Sequence, residues 1–247
     1  MVCVTVVAMS LPTTTDRETW LRERRALLEQ EKELTRARDE LNRRRRELPM
    51  VEVSADYRFT GPDGEVTLRD LFGPYRQLVI SHFMFDPEWT DGCRSCTAVA
   101  QEWSPGIREH LHSRDTEHVF VSRAPYERIA DYRDRMGWTF PWYSSFGTDF
   151  NTDFGVTVDV SGKLMTYNFR DDPTWDGAAG TSEMPGTSCF LAVDDRVFHT
   201  YSMYARGQEW FGGSYAYLDL TALGRQEDWE EPKGRVEAAR AGVPVFD

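Results

Sequence analysis

The sequence predicts an α/β fold built around a parallel strand–helix–strand unit, and three observations carry that prediction. An apolar run, Leu78-Val79-Ile80, leads through the loop Ser81 to Gly92 into Cys93-Arg94-Ser95-Cys96, and a helix-like run from Thr97 to His112 leads out. A second buried strand, Glu117 to Ser122, then meets a second helix, Pro125 to Met136, with proline in its first turn and Gly137 after its end. Strand, helix, strand, helix with short links is a parallel β-α-β unit. Further on, Thr187 to Val193 and Arg196 to Tyr201 flank Asp194-Asp195 and read as a hairpin, the antiparallel half of the same sheet.

The remaining elements follow in order. Asp16 to Leu48 reads as one long helix, capped by Thr15 or Asp16 and ended by Pro49. Leu27, Leu34, Leu41 and Leu48 recur every seven residues along it, beside Trp20, Leu21 and Leu28, with charges elsewhere. So narrow a stripe is a packing seam, laid across the protein or against the same helix of a second subunit, so a homodimer through residues 16–48 is expected. Arg43 to Arg46 read as a solvated helix end whose cations suit the C-terminal dipole. Tyr57 to Phe59 and Glu65 to Leu68 flank the turn Gly61-Pro62-Asp63-Gly64 as a small hairpin, and Asp70 to Gly73 close a short turn. Phe146 to Phe154 reads as a short helix; Asp149, Asn151 and Asp153 alternate as in a calcium loop, but Phe154 stands at the glycine position and Val160 at the glutamate position, which rejects an EF-hand. Residues 161–186, rich in Gly, Asp, Pro and Thr, read as a loop or an excursion on the surface, Tyr215 to Leu223 as the closing helix or its approach, and residues 226–247 as an acidic tail.

Bulk properties narrow the function. A chain of 247 residues holds one elaborated domain of roughly 150–200 residues plus an appendage. No apolar run nears the ~20 residues of a membrane span, so no membrane partner is expected. A net charge of −12 argues against broad nucleic-acid binding. Four cysteines are too few for a disulfide scaffold, which points to a reducing, cytoplasmic setting. Cys189 falls in an apolar strand and reads as core. Residues 1–11 are apolar but lack a basic segment and a small-residue cleavage site, a poor signal peptide. Residues 1–15 read as a disordered or spurious start, with Met9 an alternative first residue.

The chemistry sits at the cysteine pair. A cysteine at a helix N-terminus meets free N–H groups and the positive end of the dipole, which favour thiolate over thiol. Cys93 takes that place, Cys96 one turn on can reach back to it, and Arg94 adds charge; strand, loop, C-x-x-C, helix is the opening of a thioredoxin-like unit. One reading is a thiol–disulfide oxidoreductase or thiol-dependent peroxide reductase. Cys93 attacks, Cys96 resolves, Thr90 and Arg94 tune the site, and an external thiol reductant or protein dithiol restores the pair without a cofactor. His82, Trp89, Arg123, Trp138, Trp142 and His199 are its substrate-pocket candidates. A second reading is a copper or zinc site made by Cys93, Cys96 and His82 or His199. A third is a non-redox protein that binds a small ligand against Phe83, Phe85, Trp89, Trp138, Phe140, Trp142 and Tyr143, rings that otherwise form core.

A set of strings spread over about residues 20–225 resembles the bacterial family known as domain of unknown function 899. They are Leu71-Phe72-Gly73, Gln77-Leu78, His82-Phe83-Met84-Phe85, Cys93-x-x-Cys96, Ser122-Arg123-Ala124-Pro125, Arg135 to Trp142, Asp149-Phe150-Asn151, Phe198 to Ser202, Arg206-Gly207 and Leu218 to Thr221. The resemblance implies a thioredoxin-like fold over residues 51–225, with the long helix ahead of it. It also implies a dithiol–disulfide activity, a label that rests on the fold. Compared with thioredoxin, Gly92 replaces tryptophan before the first cysteine and no proline stands between the cysteines. Pro185 lies about two residues before the position, held by Thr187, where a cis-proline would fall. Thr90, three residues before Cys93, and the Phe140 to Ser144 segment are similar to peroxiredoxins, and imply peroxiredoxin-like insertions. Arg123, Arg170 and Arg206 are the candidates for a peroxide-polarising arginine.

Overall fold

The computed structural model describes residues 11–53, 56–174, 179–211 and 213–239, in two compact units. Among the described residues, one comprises 11–49 with 214–239, and the other runs from Met50 to Gly213. The expected start at 1–15 and tail at 226–247 lie partly outside the described residues.

In the first unit, α1 (Arg17–Glu47) has the predicted bounds within one residue. Its cap is Asp16, whose carboxylate accepts the Thr19 N–H at 2.8 Å. Arg44, Arg45 and Arg46 occupy the last turn, where the dipole favours cations. The helix buries no residue, and the leucines of the seven-residue stripe, the last of them its C-cap, stay exposed: Leu27 49%, Leu34 66%, Leu41 47% and Leu48 50%. Residues 214–239 fold back on themselves rather than trailing away. Arg225 binds Asp219 at 2.7 Å and lies over the Tyr215 ring, and Glu230 accepts the N–H groups of Arg225 and Glu227.

The second unit begins with β1 (Val51–Val53), the hairpin β2 (Arg58–Gly61) and β3 (Gly64–Thr67), and a 3₁₀ turn at Asp70–Phe72. It continues with β4 (Gln77–His82), α2 (Arg94–Gln101), α3 (Pro105–His112), β5 (Thr116–Ser122), α4 (Tyr126–Arg135) and β6 (Trp142–Ser144). Next come α5 (Phe150–Asp153), β7 (Thr157–Asp159), β8 (Leu164–Tyr167), β9 (Arg170–Pro173), β10 (Thr181–Glu183), β11 (Gly186–Val193) and β12 (Arg196–Tyr204). The short α6 (Gly213–Leu218) follows, and its residues from Ser214 on group with α1.

Eight strands form one sheet in the order β1-β12-β11-β4-β5-β6-β2-β3. β4, β5 and β6 run parallel, and the β11–β12 hairpin lies antiparallel on the other side of β4. A parallel β-α-β unit with an antiparallel hairpin beside its first strand is the thioredoxin-like arrangement. Because side chains alternate along a strand, β5 feeds two cores. Val119 and Val121 join Leu78, Ile80, Phe150 and Phe190 on one face; Phe120 joins Phe83, Phe85, Ala100, Ile129, Tyr132 and Trp142 under α2 and α4 on the other.

Two expectations are corrected. The run Thr97 to His112 is two helices, not one: Ser104 is extended (φ −108°, ψ 150°) and Pro105 starts α3, because a proline restricts the residue before it and fits only a first turn. Residues 161–186 are not a plain loop. β8 pairs with β9 and β10 with β7, and Met165 and Tyr167 join Val158 and Val160 in a third small core. Their spacing of two carries the strand signal that the Gly- and Asp-rich composition obscured.

Candidate active site around Cys93

The end of β4 sets the site. Phe83 donates its N–H to Val121 at 2.9 Å, prolonging the parallel pairing, and buries its ring in the aromatic core. The chain then leaves the sheet and returns at Gly92. The Cys93 N–H donates to the Met84 carbonyl at 3.0 Å, which closes the loop at its neck. Cys93 is the N-cap of α2 with extended backbone (φ −56°, ψ 132°). Its carbonyl accepts both the N–H and the hydroxyl of Thr97 at 2.9 Å, and that hydroxyl lies 2.8 Å from the Tyr132 phenol on α4.

Both thiols are free, and they sit in opposite environments. Cys93 Sγ lies 3.1 Å from Ser95 Oγ. Hydrogen bonds from the Cys96 thiol, the Ser95 hydroxyl and the backbone of residues 95 and 96 outweigh burial and lower the Cys93 thiol to about 5. Cys96 is pushed up, because its proton is the one shared with Cys93 and because burial disfavours a second thiolate. Burial likewise pushes Cys189 up to about 11, an inert thiol. The arrangement favours the thiolate at Cys93, at the helix start, and the thiol at Cys96, one turn behind it.

The other sequence candidates divide. Thr90 and Arg94 are exposed, and the hydroxyl at Cys93 Sγ belongs to Ser95. Trp89 is 38% exposed on the same loop. Trp142 is fully buried with its indole N–H on Ser122 Oγ at 2.9 Å, so it is core rather than pocket. Trp138 packs on Phe140 and Trp142 and lines a cleft of about 400 Å³ with Trp103, Arg108 and His112. His82 is buried, its Nε2 2.9 Å from Ser188 Oγ, and His199 Nε2 lies 2.7 Å from Ser202 Oγ; the two serine oxygens are 2.9 Å apart. The imidazoles therefore face each other through serines and are not gathered with the cysteines. Among the described residues no three His, Cys, Asp or Glu side chains converge as a metal-ligand group.

Each candidate arginine is already paired. Arg123 binds Glu183 at 2.6 Å and also Asp86, Arg170 binds Asp172 at 2.8 Å, and Arg206 binds Glu209 at 2.8 Å. Met184–Pro185 is not among the cis peptides; the cis bond in the described chain is Glu231–Pro232. Thr187 pairs with Ser81 at the start of β11.

Sequence reasoning missed Ser95, whose role is legible only from its place inside the C-x-x-C. It also missed the reason for Gly92. A Cβ there would stand 2.5 Å from Phe83 Cε1, so any larger residue collides with the ring beneath. Among the described residues no helix is long and apolar enough to cross a membrane.

A family model described as "Bacterial protein of unknown function (DUF899)" matches residues 9–241. A search of curated proteins found no match. Among solved structures, peroxiredoxin Q of Xanthomonas campestris is similar at 13% identity and TM-score 0.45, over 71% of this chain and 98% of that one. A PrxQ mutant of Xylella fastidiosa is similar at 11% identity and TM-score 0.44, over 68% and 95%. Peroxidoxin BcpB of Mycobacterium tuberculosis is similar at 14% identity and TM-score 0.43, over 64% and 85%. These likenesses are too distant to bear on chemistry.

Proposed function

The chain belongs to the DUF899 family, and we propose that it is a thiol–disulfide oxidoreductase or thiol-dependent peroxide reductase working through Cys93 and Cys96. One observation carries this reading: the donors around Cys93 Sγ favour its thiolate while Cys96 keeps its proton. A thiolate is the attacking species, and a thiol of lowered pKa is populated as thiolate at neutral pH.

With a disulfide, the Cys93 thiolate attacks one sulfur and expels the other as a thiolate. Cys96, losing its proton to that departing thiolate or to water, then attacks Cys93 Sγ, releases the second thiol and leaves a Cys93–Cys96 disulfide. With a peroxide, the thiolate takes the terminal oxygen, alcohol or water departs, and Cys96 displaces water from the sulfenic acid to give the same disulfide. An external thiol reductant or protein dithiol supplies the two electrons that restore the pair.

The test uses Cys96→Ser and Cys93→Ser on the full chain. Incubated with glutathione disulfide at pH 7, Cys96→Ser holds one glutathione on Cys93 by mass spectrometry, wild type passes on to the internal disulfide, and Cys93→Ser takes up nothing at Cys96. A parallel run with hydrogen peroxide decides between the two substrate classes. If native Cys96→Ser captures no glutathione and consumes no peroxide while the unfolded chain reacts freely, the proposal fails.

A further inference from the structure

We propose that Arg123, Arg128 and Arg135 are positioning residues that clamp the loop 86–92 and thereby hold Cys93 in register with the first turn of α2. This rests on the thiolate reading above.

The loop needs an external hold. It spans from buried Phe85 to Cys93, and Glu88, Trp89, Thr90 and Asp91 along it are exposed, so it contributes little apolar burial of its own. Three arginines of one continuous segment grip it in order. Arg123, just after β5, binds Asp86 at the loop entry. Arg128 donates one guanidinium nitrogen to the carbonyls of both Pro87 and Trp89, the latter at 2.8 Å. Arg135 binds Asp91, two residues before Cys93. Arg128 and Arg135 are seven residues apart on α4, about two turns, and so share a face.

The grip is anchored at both ends. Behind Arg123 stands Glu183 of β10, buried and held in turn by Thr157 Oγ1 at 2.8 Å and Asn151 Nδ2 at 3.3 Å. Beside Arg135 its guanidinium lies 4.9 Å from the centre of the Tyr132 ring, and the Tyr132 hydroxyl meets the Thr97 hydroxyl that caps the Cys93 carbonyl. The arginines thus fix the loop, and α4 fixes the start of α2 directly. Cys93 needs this because its 3.1 Å contact with Ser95 Oγ depends on the direction of the bond, and hydrogen bonds weaken steeply as their angle falls below about 120°. The planar guanidinium holds that nitrogen of Arg128 in a fixed direction, where the ammonium of a lysine sits on a flexible stem as a point charge.

The test is the pH profile of Cys93 alkylation by iodoacetamide, read peptide by peptide by mass spectrometry on the reduced full chain. Arg123→Ala is the poorer probe, since it strands the buried Glu183. The double variant Arg128→Ala/Arg135→Ala removes exposed side chains and leaves the core intact. Its midpoint is expected to rise by about one pH unit, a tenfold loss of thiolate at pH below both midpoints. Arg128→Lys should fall between it and wild type, with unchanged circular dichroism in all three. A low wild-type midpoint that the double variant shares would overturn the clamp and leave the thiolate reading standing. A wild-type midpoint near the ordinary value of about 8.5 would overturn both.

Discussion

Replacing Gly92 by alanine adds one methyl group at the most crowded point of the site. Its Cβ would lie 2.5 Å and 2.9 Å from two Phe83 ring atoms and 3.3 Å from Tyr132 Cε1. Phe83 has nowhere to go: it is 3% exposed, with ring centroids of Trp142, Trp138, Tyr132 and Phe120 at 4.5, 6.2, 6.4 and 6.5 Å. Overpacking of a close-packed core costs about 1–3 kcal/mol. For a domain of this size one kcal/mol moves the melting temperature by about 2–4 °C, so Gly92→Ala should lower it by about 2–12 °C. Thermal unfolding by circular dichroism under reducing conditions measures this. Gly106→Ala is the control: its Cβ meets only Ser104 Oγ at 3.7 Å, an ordinary contact, and alanine in α3 gains up to ~1 kcal/mol in helix propensity. If Gly92→Ala melts at or above wild type, the packing argument for a glycine before Cys93 is wrong.

Three further outcomes follow. Ser95→Ala should raise the midpoint of Cys93 alkylation yet leave it below the ordinary thiol value, because the Cys96 thiol and the backbone N–H groups remain; an unchanged midpoint would remove Ser95 from the site. Stability should rise with pH between about 5 and 8.5 in the reduced wild type relative to Cys93→Ser. The folded thiol is held at about 5 against an ordinary value of about 8.5, so in that window the unfolded chain binds the extra proton, and the gain is lost as pH falls through 5. Denaturant melts at a series of pH values read the difference, and parallel curves for the two proteins would contradict the lowered pKa. Finally, homodimerisation through residues 16–48 predicts that Leu34→Lys/Leu41→Lys, on a helix face 66% and 47% exposed at those positions, sediments as a monomer where wild type sediments as a dimer.

The fold was legible wherever its signal was local. Leu78 to Ile80 and Val119 to Val121, the centre of the second strand, read as strand because a parallel strand covered on both faces is a continuous apolar run, and the observed strands extend beyond these apolar centres. The Asp16 cap and Pro49 bounded α1 for the same reason. The reading failed where a local rule was overruled or hidden. Pro105 lies inside an apparently helical run, although a proline disfavours the helical region for Ser104 before it. Residues 161–186 looked like a loop because turn-forming residues outnumber the few, such as Met165 and Tyr167, that carry the buried side of the strand pairs.

The site divides along the same line, and the division says where reactivity is encoded. That Cys93 caps a helix and Cys96 lies one turn behind it follows from spacing alone, since the helical repeat is fixed. The direction of a side chain on a loop is not fixed by spacing. The charge of Arg94 and the peroxiredoxin-like position of Thr90 point to those two side chains, while the contact falls to Ser95, inside the first turn. The pairs that hold the loop join residues about forty positions apart, Arg128 with Pro87 and Trp89, and Arg135 with Asp91. In a chain with many arginines no composition or period distinguishes those that grip a loop from those that face water. The pair of thiols is thus a local property of the C-x-x-C, whereas the clamp proposed for its loop draws on the segment after β5 and on α4, so substitutions there are expected to change the chemistry of a cysteine they never touch.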